Sequence, residues 1–454
     1  MAGIGFELRK HLSRDTYEGM IKAYCVAGVV GSGPWVICIL GTLLIGVFSH
    51  SRVSSAEQLQ VFFASVTSLV AVSLLFSGTI QIALARYISD RIYEERHDRV
   101  LPNLFGAIVL NTVASGTFAS LIALGLLEGS AAYRALMIAT FVTLTNVWLL
   151  SVFLSSIKEY WLVVTMFFIG YVVAVGLAIA WAPHGEVGLL GGFLVGQIVL
   201  QFGMLGSVIR AYPSRQLMTF DFARRDIVLG SLAVIGFLYH LGVWIDKFVF
   251  WLNPSTSIAV QAPIRISPVY DIPIFLAYLS CIPGMTVFLM RIETDFAHRV
   301  REVFGSIREG GTLDEIEDRR NAMVRSIRSG IRDILQIQGI TAVAVIFAGP
   351  TIFQVIGIPE TYLHLFRIDV VGVAVQVVLL SILTVCFYLD FRRLALGLCV
   401  LFVVGNLGLT LVTHVLGPRF YGCGFAVSVT VAAVVGAAAL GRKLDRLEYE
   451  VFMR

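Results

Sequence analysis

The sequence predicts an all-α polytopic membrane protein of about 12 transmembrane helices, in two six-helix halves with both termini in the cytoplasm. Three observations carry this prediction. Of 454 residues, 57% are hydrophobic and only 14% are Asp, Glu, Lys or Arg, where soluble domains run nearer ~25% charged. The apolar runs are long and unbroken, which suits helices of about 20 residues and not the ~10-residue alternating segments of a barrel. The lysines and arginines also alternate in abundance from one connection to the next, as the positive-inside rule requires.

Residues 1–22 mix Glu7, Arg9, Lys10, Arg14, Asp15 and Glu18 with Ile4, Phe6, Leu8, Leu12, Tyr17 and Ile21, the pattern of an amphipathic helix on the cytoplasmic face. The first apolar run exceeds the core of a signal peptide and lacks a cleavage site, so no cleavable leader is expected. Hydropathy places spans near 23–48, 60–85, 103–127, 133–156, 160–182 and 187–210, a first bundle over 23–210. A cytoplasmic linker, 211–226, follows. Spans near 227–252, 269–290, 333–357, 366–389, 394–416 and 421–441 make the second bundle, 227–441, with a charged cytoplasmic segment at 291–332 and a tail at 442–454.

Orientation follows from the charges. With the N-terminus inside, the periplasmic loops hold only Arg52, Arg134, Arg265, Arg367 and Arg419, and Lys247 falls within a span. Every other member of the 34 lysines and arginines falls on the cytoplasmic side. One helix more or fewer would put the later loops on the wrong sides and destroy this bias. The net charge of +4 therefore marks orientation and not nucleic-acid binding. Both halves have six spans and begin inside, so a repeat would be parallel, with a pseudo-two-fold axis along the membrane normal. Evenly spaced hydropathy alone is the other reading.

Two charged segments face the cytoplasm, 86–99 and 291–332. In the second, Thr312-Leu-Asp-Glu315 has capping-box spacing, and Ile316, Met323, Ile327 and Ile331 follow among arginines. This predicts a basic amphipathic helix leading into the ninth span, serving either to anchor the protein to anionic lipid or to dock a cytoplasmic partner.

Chemistry is sparse. No P-loop, HExxH, kinase-type set or GxSxG elbow occurs, and the periplasmic loops are too short to hold positioned carboxylates around a lipid-linked donor. An enzyme is not expected, nor a cofactor or metal. The six cysteines form no CxxC pair and read as packing residues.

What remains is polar residues at membrane depth, which are costly and point to a pathway. In the seventh span His240, Trp244 and Lys247 share one helical face, and Tyr239 and Asp246 share the next. They form either a polar, aromatic strip suited to sugar rings or, for Asp246 and Lys247, a pair that snorkels to the nearby periplasmic surface. Arg265, Tyr270 and Asp271 lead into the eighth span, which contains Pro283-Gly284, and the first span contains Gly31-Ser32-Gly33-Pro34-Trp35. Such interruptions either break a helix along a cavity or only kink it for packing. Gln81, Asn111, Asp369 and Gln376, with Asn146, Gln197, Gln201, Asn406 and His414, complete the polar candidates. Isolated amides of this kind also commonly bridge helices.

Four stretches carry a family resemblance: Met1-Ala-Gly-Ile-Gly-Phe-Glu-Leu-Arg-Lys10, Ser32-Gly33-Pro34-Trp35, Arg86-Tyr87-Ile88-Ser89-Asp90 and Tyr270-Asp271-Ile272-Pro273. With the length and span count, the chain resembles the PelG family of inner-membrane transporters of the Pel exopolysaccharide system. That family is similar to the multidrug/oligosaccharidyl-lipid/polysaccharide flippase superfamily, whose two six-helix bundles enclose a central cavity. The resemblance implies export of an N-acetylgalactosamine-rich polymer across the bacterial inner membrane. It also implies three partners: a cytoplasmic glycosyltransferase, a membrane receptor for cyclic di-GMP and a tetratricopeptide-repeat membrane subunit. Segment 291–332 would then be a docking surface. The alternatives are an ion-coupled antiporter for drugs or lipid-linked oligosaccharide, and a non-transporting scaffold of a synthase complex. An antiporter calls for a carboxylate deep in one half, whereas Asp246 and Asp369 read as lying toward the outer third.

Overall fold

The computed structural model describes residues 17–224 and 230–447. Most of the expected amphipathic helix, residues 1–16, and residues 448–454 of the tail lie outside the described residues. The first half contributes α1 (Tyr17–Ser49), α2 (Ala56–Tyr93), α3 (Val100–Gly125), α4 (Ala131–Ser156), α5 (Tyr160–Trp181) and α6 (Gly185–Ala211). Then come α7 (Gly230–Leu252), strands β1 (Ile258–Gln261) and β2 (Ile264–Ile266), α8 (Pro268–Leu279) and α9 (Ile282–Arg308). The chain ends with α10 (Leu313–Ile356), α11 (Leu363–Tyr388), α12 (Arg392–Leu416) and α13 (Cys423–Asp445).

Helices α8 and α9 meet at a bend of 45° and together are long and apolar enough for one span. With α5 and α6 counted separately and α8–α9 taken together, the described residues hold twelve candidate spans, the number the hydropathy predicts. Their outer faces are apolar: Val113, Leu121, Leu124, Phe347, Val355 and Val415 are all more than half exposed. Such exposure is stable only against lipid.

Local chemistry sets the ends. The Ser130 hydroxyl accepts from the Tyr133 N–H at 3.1 Å and caps α4. Thr312 accepts from the Glu315 N–H at 3.3 Å, as its spacing predicts, and starts α10. The Glu315 carboxylate, which the capping-box spacing expects to reach back, pairs with Arg319 one turn on. Helix α10 stops at Gly357, whose φ of +79° few other residues adopt. There the N–H of Ile358 donates to the Phe353 carbonyl at 2.9 Å, and Pro359 follows.

The polar interruptions behave differently from one another. The bend between α8 and α9 falls at Ser280-Cys281, and Pro283 starts the new helix, where its missing N–H costs nothing. Pro34, by contrast, lies inside a continuous α1, so of the two readings of that segment the broken helix is excluded. Nearby, Gly28 and Gly31 lie against Thr286 and the Met285 carbonyl of α9, a close approach that a larger side chain would obstruct.

Small residues also bring α5 and α6 together as an antiparallel pair. A Cβ on Gly192 would meet the backbone of Ala178 at 2.3 Å, and one on Gly196 would meet Ala174 at 2.4 Å. Without water to drive association, such small contacts are how membrane helices pack.

The chain forms two compact units: Met1–Ser32, Ile245–Phe250 and Pro268–Arg454 in the first, Gly33–Trp244 and Trp251–Ser267 in the second. Within the second unit, β1 and β2 pair antiparallel, Ile258 opposite Ile266. The Glu128 N–H donates to the Ala262 carbonyl at 2.9 Å, and Gln261 donates to the Glu128 carbonyl at 3.0 Å. The hairpin is thereby fastened to the α3–α4 turn.

Candidate functional site

Buried charge identifies the site, and it lies in the first unit. Asp246 and Lys247 are both 0% exposed, so neither snorkels. That reading is corrected. The Lys247 ammonium donates to Asp246 at 3.1 Å. Successive residues do not normally face each other on a helix; here the four-carbon stem of lysine spans the difference. The Tyr270 hydroxyl donates to the same oxygen, Asp246 Oδ2, at 2.6 Å, and Asn406 Nδ2 donates to Oδ1 at 3.3 Å. Thr410 donates to Asn406 Oδ1 at 3.1 Å, which orients the amide.

Aromatic faces complete the lysine's surroundings. Its ammonium lies 5.4 Å from the ring centres of both Tyr278 and Phe425, within cation–π range. Tyr270 is itself held by stacking on Phe250, 3.9 Å between centroids. Four helices besides α7 therefore converge on this cation and its carboxylate: α8, α11, α12 and α13.

From α11 comes Asp369. It is 0% exposed, and neither carboxylate oxygen has a hydrogen-bond partner among the described residues. It feels the charges of both Lys247 and Asp246. Gly422, at φ +83°, brings the start of α13 so close that a Cβ there would stand 2.8 Å from Asp369 Oδ1. Lys247 pairs with Asp246, and the second carboxylate, Asp369, lies within electrostatic reach of both without a hydrogen bond of its own. With all three ionised, the cluster is one positive charge short, and in a dry interior that deficit is costly. A proton or a single-charged cation would balance it.

The other sequence candidates are dispersed. In the second unit, Tyr239 and His240 are half-buried, with ring centres 5.7 Å apart, and Trp244 is buried against Trp251 at 6.2 Å. His240 lies over Gly78, where α2 and α7 touch through Gly78 and Gly236. Arg265 is tied into the hairpin, donating to the Trp251 carbonyl at 3.1 Å and to the Ser257 hydroxyl at 2.9 Å. Gln81 donates to Ser77 within its own helix, and Asn111 donates to Asn146 of α4 at 2.8 Å. Trp35 is 47% exposed. In the first unit, Asp271 is buried, and Gln376 lies beside Tyr278. No group of three metal-ligating side chains occurs among the described residues.

Sequence reasoning did not single out Tyr278, Thr410 or Phe425. Asn406, Thr410 and Thr413 repeat at i, i+4 and i+7, and that polar stripe on an otherwise apolar α12 was the signal available for one of them.

The fold recurs in solved transporters. A multidrug resistance MATE family transporter of the MOP superfamily, in an outward-facing conformation, matches with a TM-score of 0.66 at 14% identity, over 94% of this chain and 96% of that one. A MOP superfamily transporter from Pyrococcus furiosus Vc1 (DSM3638) matches with a TM-score of 0.64 at 14% identity, over 94% and 96%. An inward-facing MATE family transporter matches with a TM-score of 0.57 at 13% identity, over 93% and 95%. These likenesses establish the two-halves fold. No curated protein matches the chain in sequence. The family model described as "PelG: Putative exopolysaccharide Exporter (EPS-E)" matches residues 1–452, and the chain belongs to that exopolysaccharide exporter family.

Proposed function

We propose that this protein passes an N-acetylgalactosamine-rich exopolysaccharide, Pel, outward across the bacterial inner membrane while a cytoplasmic glycosyltransferase extends it. The observation that carries this reading is the family match over essentially the whole chain, on a fold shared with transporters. The termini face the cytoplasm, in keeping with the distribution of lysine and arginine. The protein works as a transporter and not as an enzyme, within a complex that includes a cyclic di-GMP receptor and a tetratricopeptide-repeat subunit. The half-buried Tyr239 and His240 supply ring faces and polar edges of the kind that bind sugars.

A second reading concerns the energy source. The Asp246–Lys247–Asp369 cluster favours coupling to a proton or a monovalent cation, because its charge balance is incomplete without one. Reconstitution with the glycosyltransferase in sealed vesicles separates these statements. Polymer protected from an added glycoside hydrolase is expected to accumulate. Accumulation that ignores ion gradients would eliminate the coupled reading; none under any gradient would eliminate translocation.

A further inference from the structure

A basic groove of about 990 Å³ lies between the charged ends of α9 and α10. Arg299 and His298 come from α9, and Arg325, Arg328 and Arg332 from α10, with Ser326 and Ser329 between them. Its two acidic residues are already engaged: Asp295 with Arg291 at 3.2 Å, Glu302 with Arg299 at 2.9 Å. Arg328 pairs with Asp445 at 2.7 Å. Arg325 and Arg332 make no ion pair among the described residues. Two guanidinium forks beside serine hydroxyls, in a concavity, are the donor set that suits phosphate oxygens.

We propose that this groove binds the phosphate headgroup of an anionic membrane lipid. Three features favour a lipid over a soluble phosphate compound. First, no Phe, Tyr or Trp lines the groove, so a nucleobase would find only the His298 ring and guanidinium edges to pack on. Second, the groove sits at the boundary of the apolar span, since α10 carries no charged residue between Asp333 and its end at Ile356. Third, the helical face bearing Arg325, Arg328 and Arg332 continues through Leu335, Gly339 and Val343. Leu335 is 54% and Val343 56% exposed, a ready track for acyl chains below a headgroup. This assignment is independent of the cargo and of its direction.

The test uses the full chain in neutral detergent, with phosphatidylcholine, phosphatidylglycerol or cardiolipin added and bound lipid counted by native mass spectrometry. The anionic lipids are expected to be retained and phosphatidylcholine lost. The double variant Arg325→Gln/Arg332→Gln is expected to lower retention by about 10-fold or more, since each guanidinium–phosphate bond removed is charge-assisted. Arg325→Lys/Arg332→Lys, which keeps the charge, should recover part of it. The pair Arg393→Gln/Arg442→Gln, of equal charge but outside the groove, should change nothing. An unfolding temperature equal to wild type confirms that each variant is folded. Equal retention by the glutamine variant overturns the assignment. So does binding of inorganic pyrophosphate or an oligoglutamate peptide that displaces the lipid.

Discussion

The Tyr270 hydroxyl, at the start of α8, reaches back 2.6 Å to the carboxylate of Asp246 near the end of α7. Between them the chain leaves the apolar span, forms the β1–β2 hairpin and returns. The hairpin is therefore what lets two successive spans present a phenol and a carboxylate to each other at one depth. The site is built by the return of the chain as much as by the helices.

The Asp246–Lys247 pair sets a first prediction. Asp246→Asn or Lys247→Met alone strands the other charge in a dry interior, at a cost of about 3–5 kcal/mol. Asp246→Asn/Lys247→Met together should recover most of that loss. Thermal unfolding of the purified proteins gives the cycle, and additive single effects would refute the pairing.

Asp369 should behave in the opposite way. Its oxygens lack hydrogen-bond partners, so Asp369→Asn removes an unfavourable buried charge and breaks no bond. The variant should unfold at a temperature equal to or above wild type, in contrast to Asp246→Asn. A fall as large as that of Asp246→Asn would show that Asp369 has a structural partner after all.

Helix contact through small residues predicts a sharp contrast within one hairpin. Gly192→Ala forces the backbones of α5 and α6 apart and should destabilise by about 1–3 kcal/mol. Gly176→Ala, where a Cβ meets nothing within 4 Å, should be silent or slightly stabilising. Unfolding midpoints in detergent would check both, and a silent Gly192→Ala would contradict the packing.

At the start of α10, Thr312→Ala removes the hydroxyl that holds the first turn and should cost about 1 kcal/mol, while Thr312→Asn should not. Hydrogen exchange at Glu315 is the direct readout. Equal protection in both variants would dismiss the cap.

Much of the fold was legible because lipid imposes it. Each span announces itself as an apolar run, and most observed helices begin and end close to the hydropathic boundaries, α2, α9 and α10 extending beyond them. Thr312 and Pro283 were legible because capping and the missing proline N–H act locally. Helix α10 was not read at its full 44 residues, because hydropathy registers only the part in lipid and its first turns are charged. The hairpin escaped notice because its strands of four and three residues are too short to establish a period. The site was half legible. Asp246, Lys247, Tyr270 and Asp369 stood out as polar residues in or beside apolar runs. Their assembly with Asn406 and Phe425 depends on which faces meet across the bundle, and no local pattern records that. Trp35 and Arg265 stood out by the same rule but went to an exposed face and to the hairpin.

That Asp246 and Lys247 are adjacent in the chain also matters during synthesis. Asn406 is 160 residues further on, so it does not yet exist when α7 leaves the ribosome. A lone aspartate or lysine within a span resists insertion, by up to ~2.5–3.5 kcal/mol at the helix centre. As consecutive residues they can enter the bilayer already neutralised by each other. The pair is thus a provision for biogenesis: the newly inserted helix carries its own counter-ion until the later helices arrive to enclose it.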